Sequence, residues 1–189
     1  MQEFEGTWLD IDVEDLEGKL GELGAEKIDD YFYRTTSFDY SDLRLDKEAA
    51  WIRLRDEGDQ VTLAFKQRLG VTDEEGNDEG MLEHEVVVSN FDEMSQILLG
   101  AGLTVKFRME QKRTRWQLDD VTFDIDTRPL LNPYLEIESS DDEKVDAAAE
   151  KLGLNLEDKK VLSATQVYAL AGIRDKDYKV IAFDEQIKR

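Results

Sequence analysis

Like charges two positions apart recur in stretches where apolar and polar residues alternate: Glu3 and Glu5, Arg53 and Arg55, Lys66 and Arg68, Glu83 and Glu85, Arg113 and Arg115, Asp124 and Asp126, Glu136 and Glu138. In an extended strand that spacing puts both side chains on one face. Ammonium and guanidinium groups grip phosphate oxygens, arginine bidentately. The chain has no cysteine and a single histidine, His84, so thiolate and histidine-rich metal sites are excluded and any metal is held by oxygen. Clustered carboxylates of that kind suit the hard cations Mg²⁺ and Mn²⁺. A polyphosphate bound with its metal would satisfy both kinds of pair.

The pairs sit in stretches where apolar and polar residues alternate, the pattern of half-buried strands. Residues 2–11 read as a first strand, and Asp12 as the cap of a short helix closing at Gly24. KIDDYFYRTTSFDY reads as a second strand, SDLRLDKEA as an irregular connection, and AAWIRLR with QVTLAFKQRL as a hairpin about an acidic turn at Asp56–Asp59. Beyond a charged loop at 70–80 come the strand MLEHEVVV, a helix behind Asn90, and three strands in LTVKFRMEQKRTRWQL, DDVTFDID and NPYLEIES. Ser140 or Asp141 caps a helix over DDEKVDAAAEKLG, and a helical segment near SATQVYALAG precedes a polar tail. The class is α+β with eight strands, antiparallel because the connections are short.

Two arrangements account for the pairs. In the plainer one each pair is a solvated strand face, and Phe4, Ile52, Leu54, Phe65, Ile125, Leu135 and Ile137 form the core. In the other the sheet closes into a barrel with the charges inside, since whole strands are acidic and others basic, whereas a solvent face mixes signs. Buried charge of one sign is costly unpaired, so such a lumen holds both signs, water and a charged ligand. His84 alternates away from Glu83 and Glu85 and reads as an external or packed residue rather than a base. Trp8, Trp51 and Trp116 read as packing residues. The loop DEEGNDEG lacks the spacing of a calcium loop and reads as a solvated connection.

Forty-five acidic against 24 basic residues leave a net charge of −21, which repels nucleic acid and anionic membranes. No signal peptide and no membrane-spanning apolar run is evident, which points to the cytoplasm. At 189 residues without a Pro/Gly/Ser-rich linker, a single domain is expected.

EFE at the start, the WIRLR and VTLAFK strands, EHEVVV, EQKRTRW, FDIDTRP and YLEIES followed by a helix ending in LG resemble the CYTH superfamily. These triphosphate tunnel metalloenzymes include class IV adenylate cyclases and thiamine triphosphatases. The resemblance implies one CYTH-like domain over 1–189, with a core at 1–154 and a helical extension at 155–189. It also implies an eight-stranded antiparallel β tunnel, a closed barrel with flanking helices, holding a tripolyphosphate or a triphosphate-containing small molecule. By motif, Glu3, Glu5, Asp126, Glu136 and Glu138 would hold Mg²⁺ or Mn²⁺, with Glu5, Glu136 and Glu138 at the chemistry. Arg53, Arg55, Lys66 and Arg113 match the basic wall that would contact phosphates, with Lys112 and Arg115 close by, and Glu83 and Glu85 fall on the family's middle acidic strand. Two positions depart from the pattern: Thr7 stands where the opening motif ends in lysine, and Gln111 where a basic residue is usual.

The function expected is metal-dependent hydrolysis of inorganic tripolyphosphate or a nucleoside triphosphate. Cyclisation of ATP by a ribose 3′-hydroxyl, or binding of a polyphosphate or other anionic ligand without turnover, are the alternatives. Neither nucleic acid nor membrane is an expected partner, and a homodimer is compatible with the sequence.

Overall fold

Every alternating stretch forms a strand in the computed structural model, which describes residues 4–70 and 80–189. The strands are β1 (Phe4–Trp8), β2 (Glu26–Asp39), β3 (Ala50–Asp56), β4 (Val61–Arg68), β5 (Met81–Val88), β6 (Thr104–Leu118), β7 (Val121–Thr127) and β8 (Tyr134–Ser139). Glu3 and residues 71–79, most of the loop read as a solvated connection, lie outside the described residues. The helices are α1 (Val13–Glu22), α2 (Arg44–Lys47), α3 (Phe91–Gly100), α4 (Asp142–Lys151) and α5 (Ala164–Leu170).

Two further strands, β9 (Tyr178–Ile181) and β10 (Gln186–Lys188), arise in the tail read as polar and non-strand. Four and three residues are too few for periodicity to show. Pairing makes them strands: β9 lies parallel to β6 through Arg108↔Val180 and Met109↔Ile181, and β10 pairs antiparallel with β9.

The strand order is β1-β8-β7-β6-β2-β3-β4-β5. Ladders β1–β8, β7–β8, β6–β7, β2–β3, β3–β4 and β4–β5 are antiparallel. The order ends at β1 and β5 with no ladder joining them among the described residues. The class is therefore α+β on an antiparallel sheet, and the hydrogen bonding does not display the closed barrel. At β1 the outer edge is taken instead by Lys160, where Thr7 N–H donates to Lys160 C=O at 2.7 Å and Lys160 N–H returns to Thr7 C=O at 3.1 Å.

The chain divides into two compact units, Met1–Tyr31 with Gln111–Asp177, and Phe32–Glu110 with Tyr178–Arg189. The first buries the apolar face of β1, β8 and β7 under α1 and α4. Trp8, Phe123, Ile125, Leu135 and Ile137 meet Leu16 and Leu20 of α1 and Val145, Ala148 and Ala149 of α4. Asp12 caps α1 by accepting from Asp15 N–H, and Asp141 caps α4 by accepting from Glu143 N–H. Gly24, at φ +81°, closes the turn after α1 in the left-handed region glycine tolerates.

The second unit packs Phe38 and Leu54 against Leu98 and Leu103, with α3 capped by Asn90. Inside SDLRLDKEA, read as irregular, lies the one-turn helix α2. Leu43 at its start offers no side-chain cap. Asp39, fully buried, does the work from the end of β2, accepting from Tyr40, Leu45 and Asp46 N–H groups at 2.7, 3.1 and 2.9 Å. A cap outside its usual position leaves no local signature.

Candidate functional site

In the first unit, period two sets Glu5 and Thr7 of β1, Glu136 and Glu138 of β8, Asp124 and Asp126 of β7, and Arg113 and Arg115 of β6 on one face. The other face is the core just described. Register then decides who meets whom: Glu5 is opposite Glu138, Thr7 opposite Glu136, Asp124 between Glu136 and Arg115, and Asp126 between Tyr134 and Arg113.

Arg113 is the hub. Its Nε and Nη2 donate to Asp126 at 2.6 and 2.7 Å, its Nη1 to Asp124 at 2.7 Å, and its Nη2 also to Glu136 at 2.6 Å. Arg115 clamps Asp124 through Nε and Nη2 at 2.7 and 2.6 Å. Asp124 and Asp126 are wholly buried, which is sustainable only because each is bidentate to a guanidinium. Burial works against the Arg113 charge, but its hydrogen bonds to Asp126 and the charges of Asp126, Asp124 and Glu136 outweigh it and hold the guanidinium protonated well above its ordinary range.

The two glutamates of β8 are less well compensated. Burial, then the charge of Asp126, pushes the Glu136 carboxyl up to about 7, against the pull of Arg113 and Arg128. Glu138 is raised by burial and Asp124, against Arg113 and Arg115. Thr7, 1% exposed, adds a buried hydroxyl beside Glu136 that has no hydrogen-bond partner among the described residues. This face therefore carries negative charge in excess of its cations.

The donor set fits a hard divalent cation in kind, being oxygen only. As they stand, no three acidic or histidine side chains among the described residues converge into a cation cage. The arginines hold Asp124 and Asp126, so Glu5, Glu138 and the Glu136 oxygen not bound to Arg113 are the donors outside those clamps.

The second unit gathers its own charges. Trp51, Arg53 and Arg55 share a face of β3 with Thr62, Ala64 and Lys66 of β4 and Glu83 and Glu85 of β5. Arg53 pairs with Glu85 at 2.7 Å and Glu83 at 3.4 Å, and Lys66 with Glu83 at 2.9 Å. Arg55 reaches Glu57 at 3.2 Å.

Three expectations change. Lys112, grouped with the phosphate-contacting cations, pairs with Thr127 and lies on the face opposite Arg113 and Arg115, because adjacent residues of a strand point to opposite sides. Arg113, expected at phosphate, has its guanidinium engaged by three carboxylates. Trp51, expected in the core, is in phase with Arg53, and the Arg68 guanidinium lies 5.6 Å from its ring centre. His84 is exposed and alternates away from Glu83 and Glu85, as expected.

Arg128, Tyr134 and the role of Asp124 were not singled out from the sequence. Arg128 Nε donates to the Tyr134 hydroxyl at 2.7 Å. The signal was present in DIDTR, where Arg128 continues the two-residue phase of Asp124 and Asp126.

On its polar faces the sheet sorts acidic and basic side chains largely by strand. The chain matches the CYTH domain family over residues 8–167 and belongs to that family. Among curated proteins, none matches by sequence. Solved structures that resemble it include a conserved hypothetical protein from Pyrococcus furiosus, 21% identical, covering 88% of this chain and 99% of its own, at a TM-score of 0.61. A candidate adenylate cyclase from Vibrio parahaemolyticus, 13% identical, covers 88% and 97% at 0.64. A candidate adenylyl cyclase from Hippeastrum, described as having a dominant triphosphatase activity, is 12% identical and covers 91% and 97% at 0.60. At these identities the likeness is one of fold. Among the described residues no helix is long and apolar enough to cross a membrane.

Proposed function

We propose that this protein hydrolyses a triphosphate, inorganic tripolyphosphate or a nucleoside triphosphate, with Mg²⁺ or Mn²⁺. The observation that carries the reading is the row of carboxylates and guanidiniums on one polar face of β1, β8, β7 and β6, in excess of negative charge, in a member of the CYTH family. Hydrolysis is preferred to cyclisation because a fold neighbour named as a cyclase is described as dominantly a triphosphatase.

Glu5, Glu136 and Glu138, with Asp126 behind them, would hold the divalent ion. When bound, that ion supplies Lewis acidity and charge neutralisation at phosphate oxygens. Within the first unit Arg115 offers a cation for phosphate oxygens; the second unit carries its own cation set in Arg53, Arg55 and Lys66. Glu136, with its carboxyl pushed up to about 7, exchanges a proton near neutral pH and is suited to take one from an attacking water. Arg113 orients Glu136 through the 2.6 Å bond and holds Asp124 and Asp126 in place through its other N–H groups. The closed tunnel belongs to this proposal too.

The test is phosphate release from tripolyphosphate and from ATP with Mg²⁺ or Mn²⁺, comparing wild type with Glu136→Gln and with chelator. Metal-dependent release that the substitution abolishes is expected. Absence of release from both substrates, with no rise in melting temperature on adding tripolyphosphate, refutes the reading.

A further inference from the structure

The segment that takes the outer edge of β1 brings a charge with it. β1 itself, FEGTW, carries no cation, and Thr7 is one of the two positions that depart from the family pattern. Lys160 meets Thr7 in an antiparallel bridge, the two residues exchanging both backbone hydrogen bonds. Residues directly opposite in such a pair present their side chains on the same side of the sheet. Lys160 therefore takes the charged face, on which Thr7 stands.

Its neighbour shows the same phase. The Lys159 ammonium is held by Asp142 and Asp146 of α4, at 2.6 Å each, and its Cε lies 3.1 Å from the place of a Cβ on Gly6. Gly6 alternates with Thr7, so Lys159 is on the helix side and Lys160 on the other. Register then extends the charged row by one member: Lys160, Thr7, Glu136, Asp124 and Arg115 stand opposite one another in turn.

A cation ends the row on each side, and the two are differently placed. Arg115 is engaged by Asp124 through Nε and Nη2. Lys160 is exposed, and among the described residues no carboxylate pairs with it; its Nζ makes one long contact, 3.5 Å, to Asp158 C=O. An ammonium has three donors, and a long contact to a neutral carbonyl leaves its charge in place. Thr7 is 1% exposed, so of the bridged pair it is the lysine that a ligand on this face meets.

We propose that Lys160, presented through its backbone bridge to Thr7, is a phosphate-binding residue of the charged face, the cation absent from β1 being supplied by the segment between α4 and α5. The ligand is a polyphosphate anion with its divalent ion, so this rests on the triphosphate reading above. Glu5, Glu136 and Glu138 leave negative charge in excess on the face, and a cation on the β1 side offsets their repulsion of phosphate. A lysine suits an exposed edge, since its compact charge on a flexible stem can follow a phosphate oxygen.

Isothermal titration of the full chain with inorganic tripolyphosphate in Mg²⁺ tests it, with each variant's ligand-free melting temperature measured alongside. The bridge to Thr7 is made by backbone groups, so a change of side chain leaves it in place. Lys160→Gln is expected to weaken binding about 10-fold, as for loss of a hydrogen bond to a charged group. Lys160→Arg, which keeps the charge, is expected to lose less. Lys159→Gln removes the same formal charge one residue away on the opposite face, and is expected to lower the melting temperature without changing Kd. Wild-type binding with an unchanged Kd in Lys160→Gln overturns this proposal and leaves the triphosphate reading standing. Equal losses in Lys159→Gln and Lys160→Gln also overturn it, since net charge rather than position then sets the affinity. No binding by the wild type refutes the triphosphate reading and this proposal with it.

Discussion

Glu136→Gln has a consequence for stability that is separate from activity and opposite in sign to the usual cost of altering a buried site. The Glu136 side chain is 16% exposed, and its carboxyl rises from the ordinary 4.5 to about 7 on folding. At about 1.4 kcal/mol per pKa unit this corresponds to ~3 kcal/mol. A raised folded value means the native state holds the proton more tightly than the unfolded chain. The contribution is therefore fully present below about 4.5 and is lost as pH rises through about 7. Above that, ionised Glu136 lowers stability by ~3 kcal/mol relative to the protonated form. Glutamine has the shape of the protonated acid and does not titrate. Urea unfolding of both proteins in chelator, from pH 5 to pH 8.5, is expected to show the variant close to wild type at the acid end. Near pH 8 it should be more stable by about 2–3 kcal/mol, or roughly 5–10 °C in Tm for a chain of this size. A difference that does not change with pH, or a variant less stable than wild type at pH 8, refutes the assignment of excess negative charge to this face. A variant both stabilised and inactive would show a site strained for function.

Arg113→Met removes the hub and leaves Asp124, Asp126 and Glu136 facing one another. Breaking a buried pair from one side costs about 3–5 kcal/mol, and the loss, read by urea midpoint, should shrink as pH falls and the carboxylates protonate. Gly6→Ala brings a Cβ to 2.7 Å from the Trp8 ring atoms Cη2 and Cζ3. Because Trp8 is buried and its indole N–H donates to Asn155 C=O, the ring cannot retreat. A cost of about 1–3 kcal/mol is expected, smaller when Trp8→Leu is present, and additive effects in that double variant would refute the clash. Asp39→Ala strips three backbone N–H groups of their acceptor and is expected to cost about 1–3 kcal/mol. Amide hydrogen exchange at Leu45 and Asp46 should accelerate, and unchanged exchange there would show that α2 is held by something else.

Much of the fold was legible because its signals are local. The caps Asp12, Asn90 and Asp141, the helix break at Gly24 and the alternation of the first eight strands are properties of a few adjacent residues. What escaped the sequence was made by contacts between distant segments: α2, whose cap Asp39 sits on the preceding strand, and β9, whose partner β6 lies some seventy residues earlier. For Lys112 the signal was local as well, since adjacency to Arg113 in a strand puts it on the opposite face.

The sequence by itself determined which charged side chains share a face, because the side-chain period of a strand belongs to the backbone of that strand alone. It could not determine which charges meet, since that depends on the register between strands far apart in the chain. Only the tertiary structure decided that Arg113 would be enclosed by Asp124, Asp126 and Glu136, that Arg53 and Lys66 would pair with Glu83 and Glu85, and that Arg128 would be pinned by Tyr134. The chemistry of the site follows from those pairings. Asp124 and Asp126 are each clamped by both oxygens to a guanidinium, whereas Glu136 shares Nη2 of Arg113 with Asp126, and burial together with the charge of Asp126 pushes its carboxyl up to about 7.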